Sequence, residues 1–446
     1  NSNENAQAMK IKAITLAVAT TITLSACGSS GGGGVDTGST EHGGSSGGNT
    51  GGNNTGGNNG GNEPIATGSY KSEAEKINKS LTGKGVKVGL NDSGIDLKNP
   101  GLKDKDISKT MITNNKNWEL ERVATKDNNA IYHGTAMAQI IYKYAPKATI
   151  YGTDILSTGG IGAMYDAALK MAAEDKISIM NHSWSPATNM SEATVESLSR
   201  KGSVIDKAIN EHNLLVFQST GNEGKADAAV TTLLPKFNAS LKKGFIAVAA
   251  TDYEGSAKFL NEFNACGQAK DWCVTAPAYQ YVYENDYKLG YTSGTSNATA
   301  YSTGVAALVK EKYGWMTNEN LKDVILGTAT DAGAAGIDNV YVWGVINKSK
   351  AIKGYGQFSW GQTALNVTGG NAYFDNNIFG TGGFNKTGTG QLVLNGDNTY
   401  TGASNVNAGS VVVNGTNKSS FNVASGAKLV VGDNAKISTG NVVNNG

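Results

Sequence analysis

Apolar and polar positions change rhythm three times along the chain. Residues 9–27, MKIKAITLAVATTITLSAC, carry lysines near the start and then an apolar stretch. That stretch has the charged start and apolar core of a secretory signal and is too short for a membrane span. From about residue 64 to 354, short apolar runs alternate with segments of helical spacing. The runs VKVGLNDSG (86–94), ATIYGTDIL (148–156), ISIMNHS (177–183), LLVFQSTGN (214–222) and FIAVAAT (245–251) predict strands. IGAMYDAALKMAAED (161–175) sets Ile161, Met164, Tyr165, Ala168 and Met171 at helical spacing, and residues 192–211 predict a further helix. Strands alternating with helices predict an α/β fold, a doubly wound and mostly parallel sheet with helices on both faces. Functional groups in such sheets gather at the carboxyl ends of the strands.

After about residue 355 the helical spacing stops. The segment becomes rich in Gly, Asn and Thr, with Leu392/Leu394, Val411/Val413 and Leu429/Val431 recurring about twenty residues apart. This period predicts the start of a right-handed parallel β-helix, a solenoid whose rungs stack into one core. The pattern continues to the end of the sequence without a capping segment, so residues 355–446 are expected to be a truncated part of something longer.

Composition adds a tether and a compartment. Glycine is abundant, 59 of 446 residues, and residues 28–63 are almost wholly Gly, Ser, Asn and Thr. As a flexible coil that segment spans about 30–35 Å. A net charge of +1, with 17% charged residues and no basic run, excludes nucleic acid as a partner. Residues 24–27, Leu-Ser-Ala-Cys, resemble the bacterial lipobox, in which the cysteine is lipidated and becomes the new N-terminus; the alternative is an ordinary cleavage site with a chance cysteine at Cys27. The expected order is an upstream extension (1–8), a lipoprotein signal peptide (9–26), a lipidated cysteine and linker (27–63), and a folded domain (64–354). Export implies an oxidising compartment, in which Cys266 and Cys273 of CGQAKDWC are expected to pair and close a small loop. No second cysteine or histidine pair lies near enough for a zinc site.

Candidate chemistry centres on GTSNATAYSTG (294–304), where a loop turns into a helix. Ser296 has two readings. It is a helix cap, or it is a nucleophile set where free N–H groups and the helix dipole face developing negative charge. A nucleophilic serine needs a base, and the chain has four histidines. His42 lies in the tether and His212 at an expected helix end, while His182 follows a strand and is a candidate site wall. His133, in YHGTAMAQ, opens a helix and is the best candidate base. Asp92 ends an apolar strand and precedes a turn, with Asp96 as its nearby competitor. Asn222, between glycines in STGNEG, is either a turn former or an amide donor to an oxyanion.

The motifs DSG, HGT, TGNEG and GTSNA, in the order Asp92, His133, Asn222, Ser296, resemble those of the subtilisin-like serine proteases. The resemblance covers 64–354, including YAPKATIYGTDIL and NHSWS. It implies that Ser296 attacks a peptide carbonyl, that His133 accepts its proton, that Asp92 orients the imidazole, and that Asn222 with the Ser296 N–H holds the oxyanion. It further implies a substrate-binding strand at Ser183, Trp184 and Ser185, and chemistry needing neither metal nor organic cofactor. Two positions depart from the family. Ala300 replaces a usual proline, expected to matter little in a helix's first turn, and Ser185 replaces a usual glycine, which alters the cleft rather than the chemistry. With a lipobox ahead and solenoid repeats behind, the whole is similar to autotransporter serine proteases, and GTGQLVLNGDNTYTG to their passenger repeat. Such passengers act on polypeptides, including themselves, at the outer membrane and cell surface, and are exported by a C-terminal β-barrel that these 446 residues lack. The competing expectation is an adhesin or binding passenger with a silent protease-like domain.

Overall fold

A computed structural model of the chain describes residues 67–112, 132–154, 160–186, 190–333, 336–338, 342–438 and 441–446. The signal segment, Cys27, His42 and the tether fall outside these residues. The described residues start with α1 (Thr67–Ser80), followed by strand β1 (Lys87–Asp92) and strand β2 (Ile107–Ile112). Then come α2 (Tyr132–Tyr144), β3 (Thr149–Asp154), α3 (Ile161–Lys170), β4 (Ile179–His182), α4 (Glu192–Ser199) and α5 (Val204–Asn210). Strands β5 (Leu215–Ser219), β6 (Phe245–Thr251) and β7 (Cys273–Pro277) complete a seven-stranded sheet in the order β2-β3-β1-β4-β5-β6-β7. Every pairing in it is parallel. A hairpin of β8 (Gln280–Tyr283) and β9 (Leu289–Thr292) leads into α6 (Thr295–Lys312), and α7 (Asn318–Gly327) follows.

The central strands are buried along their length, as strands covered on both faces must be. Side chains alternate between two cores with the period of two that extended chain imposes. Ile246, Val248 and Ala250 join the core beneath α2 and α6, whereas Phe245, Ala247 and Ala249 join the one beneath α3 and α5. Strand order reverses at β1, which pairs with β3 on one side and β4 on the other. A crevice opens beyond the carboxyl ends of the strands at such a reversal.

Helix α6 lies in the core although half its first turns are polar. Thr295 through Val309 are all buried. The hydroxyls of Thr299 and Ser302 donate to the carbonyls of Thr295 and Ala298, at 2.8 and 2.9 Å, so burial leaves neither unpaired. Gly304 allows close contact with α2: a Cβ there would stand 3.0 Å from Tyr144 Cβ and 3.2 Å from the Ile141 carbonyl. Ala300 sits in the second turn, beyond the positions whose N–H groups lack helical partners. The expectation that its site falls in a permissive first turn is therefore corrected.

The core beneath α6 continues into the C-terminal strands. Tyr313 meets Phe374 edge to face with ring centroids 5.6 Å apart, and its hydroxyl donates to the Tyr373 carbonyl. Lys312, almost wholly buried, lies 3.5 Å from Asp375 and donates to Asn78 Oδ1 at 2.6 Å. Two parallel sheets follow, of five and four strands, consistent with a β-helix. Leu392 pairs with Val411 and Val411 with Leu429, while Leu394 pairs with Val413 and Val413 with Val431. The near-twenty recurrence is thus the stacking of equivalent positions. Asparagines stack too: Asn422 donates to Asn405 and Asn405 to Asn385, at 2.8 and 2.7 Å. On the outer face, Tyr70 and Ala74 of α1 pack with Tyr373, Val393 and Val412, so the helix after the tether covers an apolar stripe of these strands.

Lys386 is fully buried within these strands. Its ammonium donates to the carbonyls of Thr387, Gly388 and Ala408, at 3.1, 2.9 and 2.9 Å. Lys386→Ala removes these three hydrogen bonds to the buried ammonium and is expected to cost about 3 kcal/mol in urea unfolding. Burial pushes the amine's pKa down from 10.5 to about 8. A base whose folded pKa is depressed gives stability that is present above its unfolded value and lost as pH falls through the folded one. The stability gap between parent and variant is accordingly expected to widen from pH 7.5 to pH 10.

Candidate active site

The ends of β1, β4 and β5 meet the first turns of α2 and α6. At the end of β1, Asp92 Oδ1 accepts from the Ser93 N–H and from His133 Nδ1–H, both at 2.7 Å. Asp92 is 1% exposed in its side chain and His133 15%, so the carboxylate is sealed while the imidazole reaches the surface. This bond places the His133 proton on Nδ1 and leaves Nε2 a free acceptor, the form a general base requires. The contact depends on backbones touching. A Cβ on Gly134 would lie 2.1 Å from the Gly94 carbonyl, and Gly94 itself has φ +97°. The second Asp92 oxygen is buried without a partner, and Asp154 stands across the β1–β3 register. Burial, and then the Asp92 charge, raise the Asp154 pKa.

At the start of α6 the N-cap residue is Gly294, with φ +153° and no side-chain cap bond. Ser296 is therefore not the helix cap. Its hydroxyl donates to the Ser183 carbonyl at 2.8 Å, and the Ser183 hydroxyl donates to the Ser296 carbonyl at 2.8 Å. This reciprocal pair joins the end of β4 to α6. Among the described residues Ser296 makes no hydrogen bond to His133.

Asn222, just past β5, is held by its oxygen. Oδ1 accepts from the Thr295 N–H at 2.9 Å and from its hydroxyl at 2.7 Å. Among the described residues its amide nitrogen makes no hydrogen bond. The point one bond from the Gly294 Cα, where a Cβ would stand, lies 3.7 Å from Asn222 Nδ2 and 3.8 Å from both Asn222 Oδ1 and the Ser296 N. Two donors, together with the Asn222 oxygen that Thr295 already engages, thus border one small space beside a glycine. A carbonyl oxygen gaining negative charge there would meet an amide and a helix N-terminus. Thr295, which fixes Asn222, was not singled out from sequence; the only signal was a hydroxyl adjoining Ser296.

Other candidates fall elsewhere. His182 is fully buried and forms no part of a cleft wall. Trp184 is 2% exposed and packs against His182 with ring centroids 4.7 Å apart, so its indole belongs to the core and sets no pocket shape. Ser185 is half-buried beside Gly221. Asp96 binds the Lys98 N–H and the Tyr287 hydroxyl, at 2.9 Å each, and stays clear of His133. A disulfide joins Cys266 to Cys273.

Residues 83–344, more than half of the chain, match the model of the subtilase family of peptidases. The chain belongs to the subtilase family. Residues 384–413 match the passenger-associated-transport-repeat. The subtilase is 37% identical over 243 residues to the Neisserial autotransporter lipoprotein NalP of Neisseria meningitidis, covering 50% of this chain and 22% of that protein. It is 31% identical to serotype-specific antigen 1 of Mannheimia haemolytica, covering 57% of this chain and 29% of the relative. An extracellular serine protease of Serratia marcescens is 26% identical over 454 residues, covering 76% of the chain and 42% of the relative. This subtilase therefore spans less than half the length of each of these relatives.

Proposed function

We propose that this subtilase is an exported serine endopeptidase, the passenger of an autotransporter, that hydrolyses peptide bonds through an acyl-enzyme. Ser296 Oγ leaves the Ser183 carbonyl and attacks the substrate carbonyl as His133 Nε2 takes its proton. Asp92 keeps the proton on His133 Nδ1 and stabilises the imidazolium. Asn222 Nδ2 and the Ser296 N–H stabilise the oxyanion between them. His133 then protonates the leaving amine, and water, deprotonated by the same imidazole, releases the acyl group. The observation that carries this reading is the 2.7 Å bond between His133 Nδ1 and Asp92 in a chain of this family.

The finer assignments rest on likeness and sequence. Residues 355–446 are read as a right-handed β-helix, residues 9–26 as a lipoprotein signal and Cys27 as the lipid anchor. The tether at 28–63 would hold the enzyme clear of the outer membrane at the cell surface. Self-cleavage, or cleavage of neighbouring surface polypeptides, follows from that placement.

A serine-directed sulfonyl fluoride tests the reaction. One equivalent is expected to abolish casein cleavage and to be recovered by mass spectrometry on the peptide holding Ser296. Full cleavage after complete treatment would overturn the assignment, whereas an untreated chain that neither cleaves casein nor takes up the reagent would favour a silent binding passenger.

A further inference from the structure

Beneath the site, three strand ends carry polar side chains where a parallel sheet ordinarily packs apolar ones. Asn91, His182 and Gln218 stand at the ends of β1, β4 and β5, all with no exposed surface. His182 and Gln218 are register partners, and Asn91 immediately precedes Asp92. Asn91 Nδ2 lies 2.8 Å from the Met164 carbonyl and 2.8 Å from His182 Nε2. His182 Nδ1 lies 3.2 Å from Gln218 Oε1, and Gln218 Nε2 donates to the Trp184 carbonyl.

These contacts allow one assignment of protons. The Asn91 amide has two hydrogens, one for Met164 and one for His182 Nε2, which must then be an acceptor. The imidazole proton therefore sits on Nδ1 and goes to Gln218 Oε1. The Gln218 amide passes the direction on to Trp184. At the other end the Thr153 hydroxyl accepts from the Asp92 N–H at 3.1 Å and has Asn91 Oδ1 as its nearer acceptor, at 3.3 Å, with the Leu90 carbonyl at 3.5 Å. The bonds all point one way, from the backbone of Asp92 to the carbonyl of Trp184. Tyr165 and Trp184 pack on the ring with centroids 6.0 and 4.7 Å away, which bars water from it. Burial lowers the His182 pKa to about 3, so the ring is neutral at neutral pH.

We propose that His182 is a positioning residue: as a neutral Nδ1–H imidazole it ties the strand end carrying Asp92 to the 183–185 segment beside Ser296. Resting on the serine-protease reading, the proposal makes His182 a determinant of how peptide substrate sits against the triad, with no contact to substrate itself. A protonated or Nε2–H ring would set two donors face to face with Asn91. An apolar ring substitute would leave one Asn91 amide hydrogen and the Gln218 oxygen buried and unpaired, a loss that shifts both strand ends.

Two measurements test this on the full chain. In ¹⁵N-histidine spectra, one of the four imidazoles is expected to show the Nδ1–H tautomer without change from pH 5 to 9. A titrating or Nε2–H ring assigned to His182 would overturn the proposal whatever any variant does. His182→Met is expected to lower kcat/KM for a peptide of several residues at least tenfold more than it lowers the inactivation rate by a sulfonyl fluoride. That small reagent needs Ser296 and His133 but not an aligned peptide. His182→Gln, which keeps a neutral donor and acceptor, is expected to recover part of the loss. Peptide and reagent rates falling in equal measure would reduce His182 to a structural role and sink the proposal. A parent chain that neither cleaves peptide nor reacts would instead refute the protease reading and leave the tautomer result standing.

Discussion

Ser296→Ala is expected to reduce casein hydrolysis on the order of 10⁶-fold, with the fold intact. The loss is large because the remaining groups cannot substitute for a covalent nucleophile. Without the hydroxyl, His133 has no proton to take, and Asn222 with the Ser296 N–H can polarise a carbonyl that only bulk water attacks. What survives is the oxyanion space and substrate binding, which alone give about 10³–10⁴ over the uncatalysed reaction. The structural cost is small. In the resting site the hydroxyl makes one hydrogen bond, to the Ser183 carbonyl. The reverse bond, from the Ser183 hydroxyl to the Ser296 carbonyl, uses backbone and survives the change. A shift of about 1 kcal/mol in urea unfolding is expected, against a kinetic effect of about 8 kcal/mol. Equal cleavage by variant and parent would exclude Ser296 as the nucleophile.

Much of this arrangement was legible in the sequence because its signals are local. Runs such as FIAVAAT coincide with β6, since a strand buried on both faces needs no partner information to look apolar. Helix 192–211 was expected to be continuous and is broken. Gly202 adopts φ +82°, and Ser203 caps α5 by accepting from the Asp206 N–H. Gly-Ser followed by Asp three residues from the serine carries that stop in plain view. Strands β2 and β7 were missed; ISKTMI and CVTAP are short and mix polar with apolar positions.

The less legible features are those built across the sheet. Asn91, His182 and Gln218 are 91 and 36 residues apart in successive steps, and only strand pairing makes them neighbours. Trp184 was expected in a substrate-binding strand because NHSWS resembles that strand of the family. It lies past the end of β4, where its indole turns into the core beside His182. The same limit applied to α1. Nothing local in TGSYKSEAEKINKS tells that Tyr70 and Ala74 lie against strands three hundred residues on.

Asp92→Asn is expected to lower kcat for peptide hydrolysis about 10⁴-fold while leaving KM nearly unchanged. In the parent, one carboxylate oxygen receives both the Ser93 N–H and the His133 Nδ1–H. An asparagine keeps one such acceptor and turns an N–H₂ group to the other side. If its oxygen stays with the Ser93 backbone, its amide meets His133 Nδ1 and forces the imidazole proton to Nε2. That tautomer cannot accept from Ser296, and the imidazolium formed in catalysis loses its counter-charge. The substitution also removes one of two neighbouring carboxylate charges. The Asp154 pKa, raised by burial and then by Asp92, is expected to fall in the variant, a shift that carboxylate NMR reads without reference to activity. An unchanged kcat together with a lowered Asp154 pKa would separate the two roles and deny Asp92 its place in catalysis. Loss of kcat with the pKa shift present shows instead that the fold held and that the imidazole lost its orientation. The largest remaining penalty would then lie in a single misplaced proton on His133.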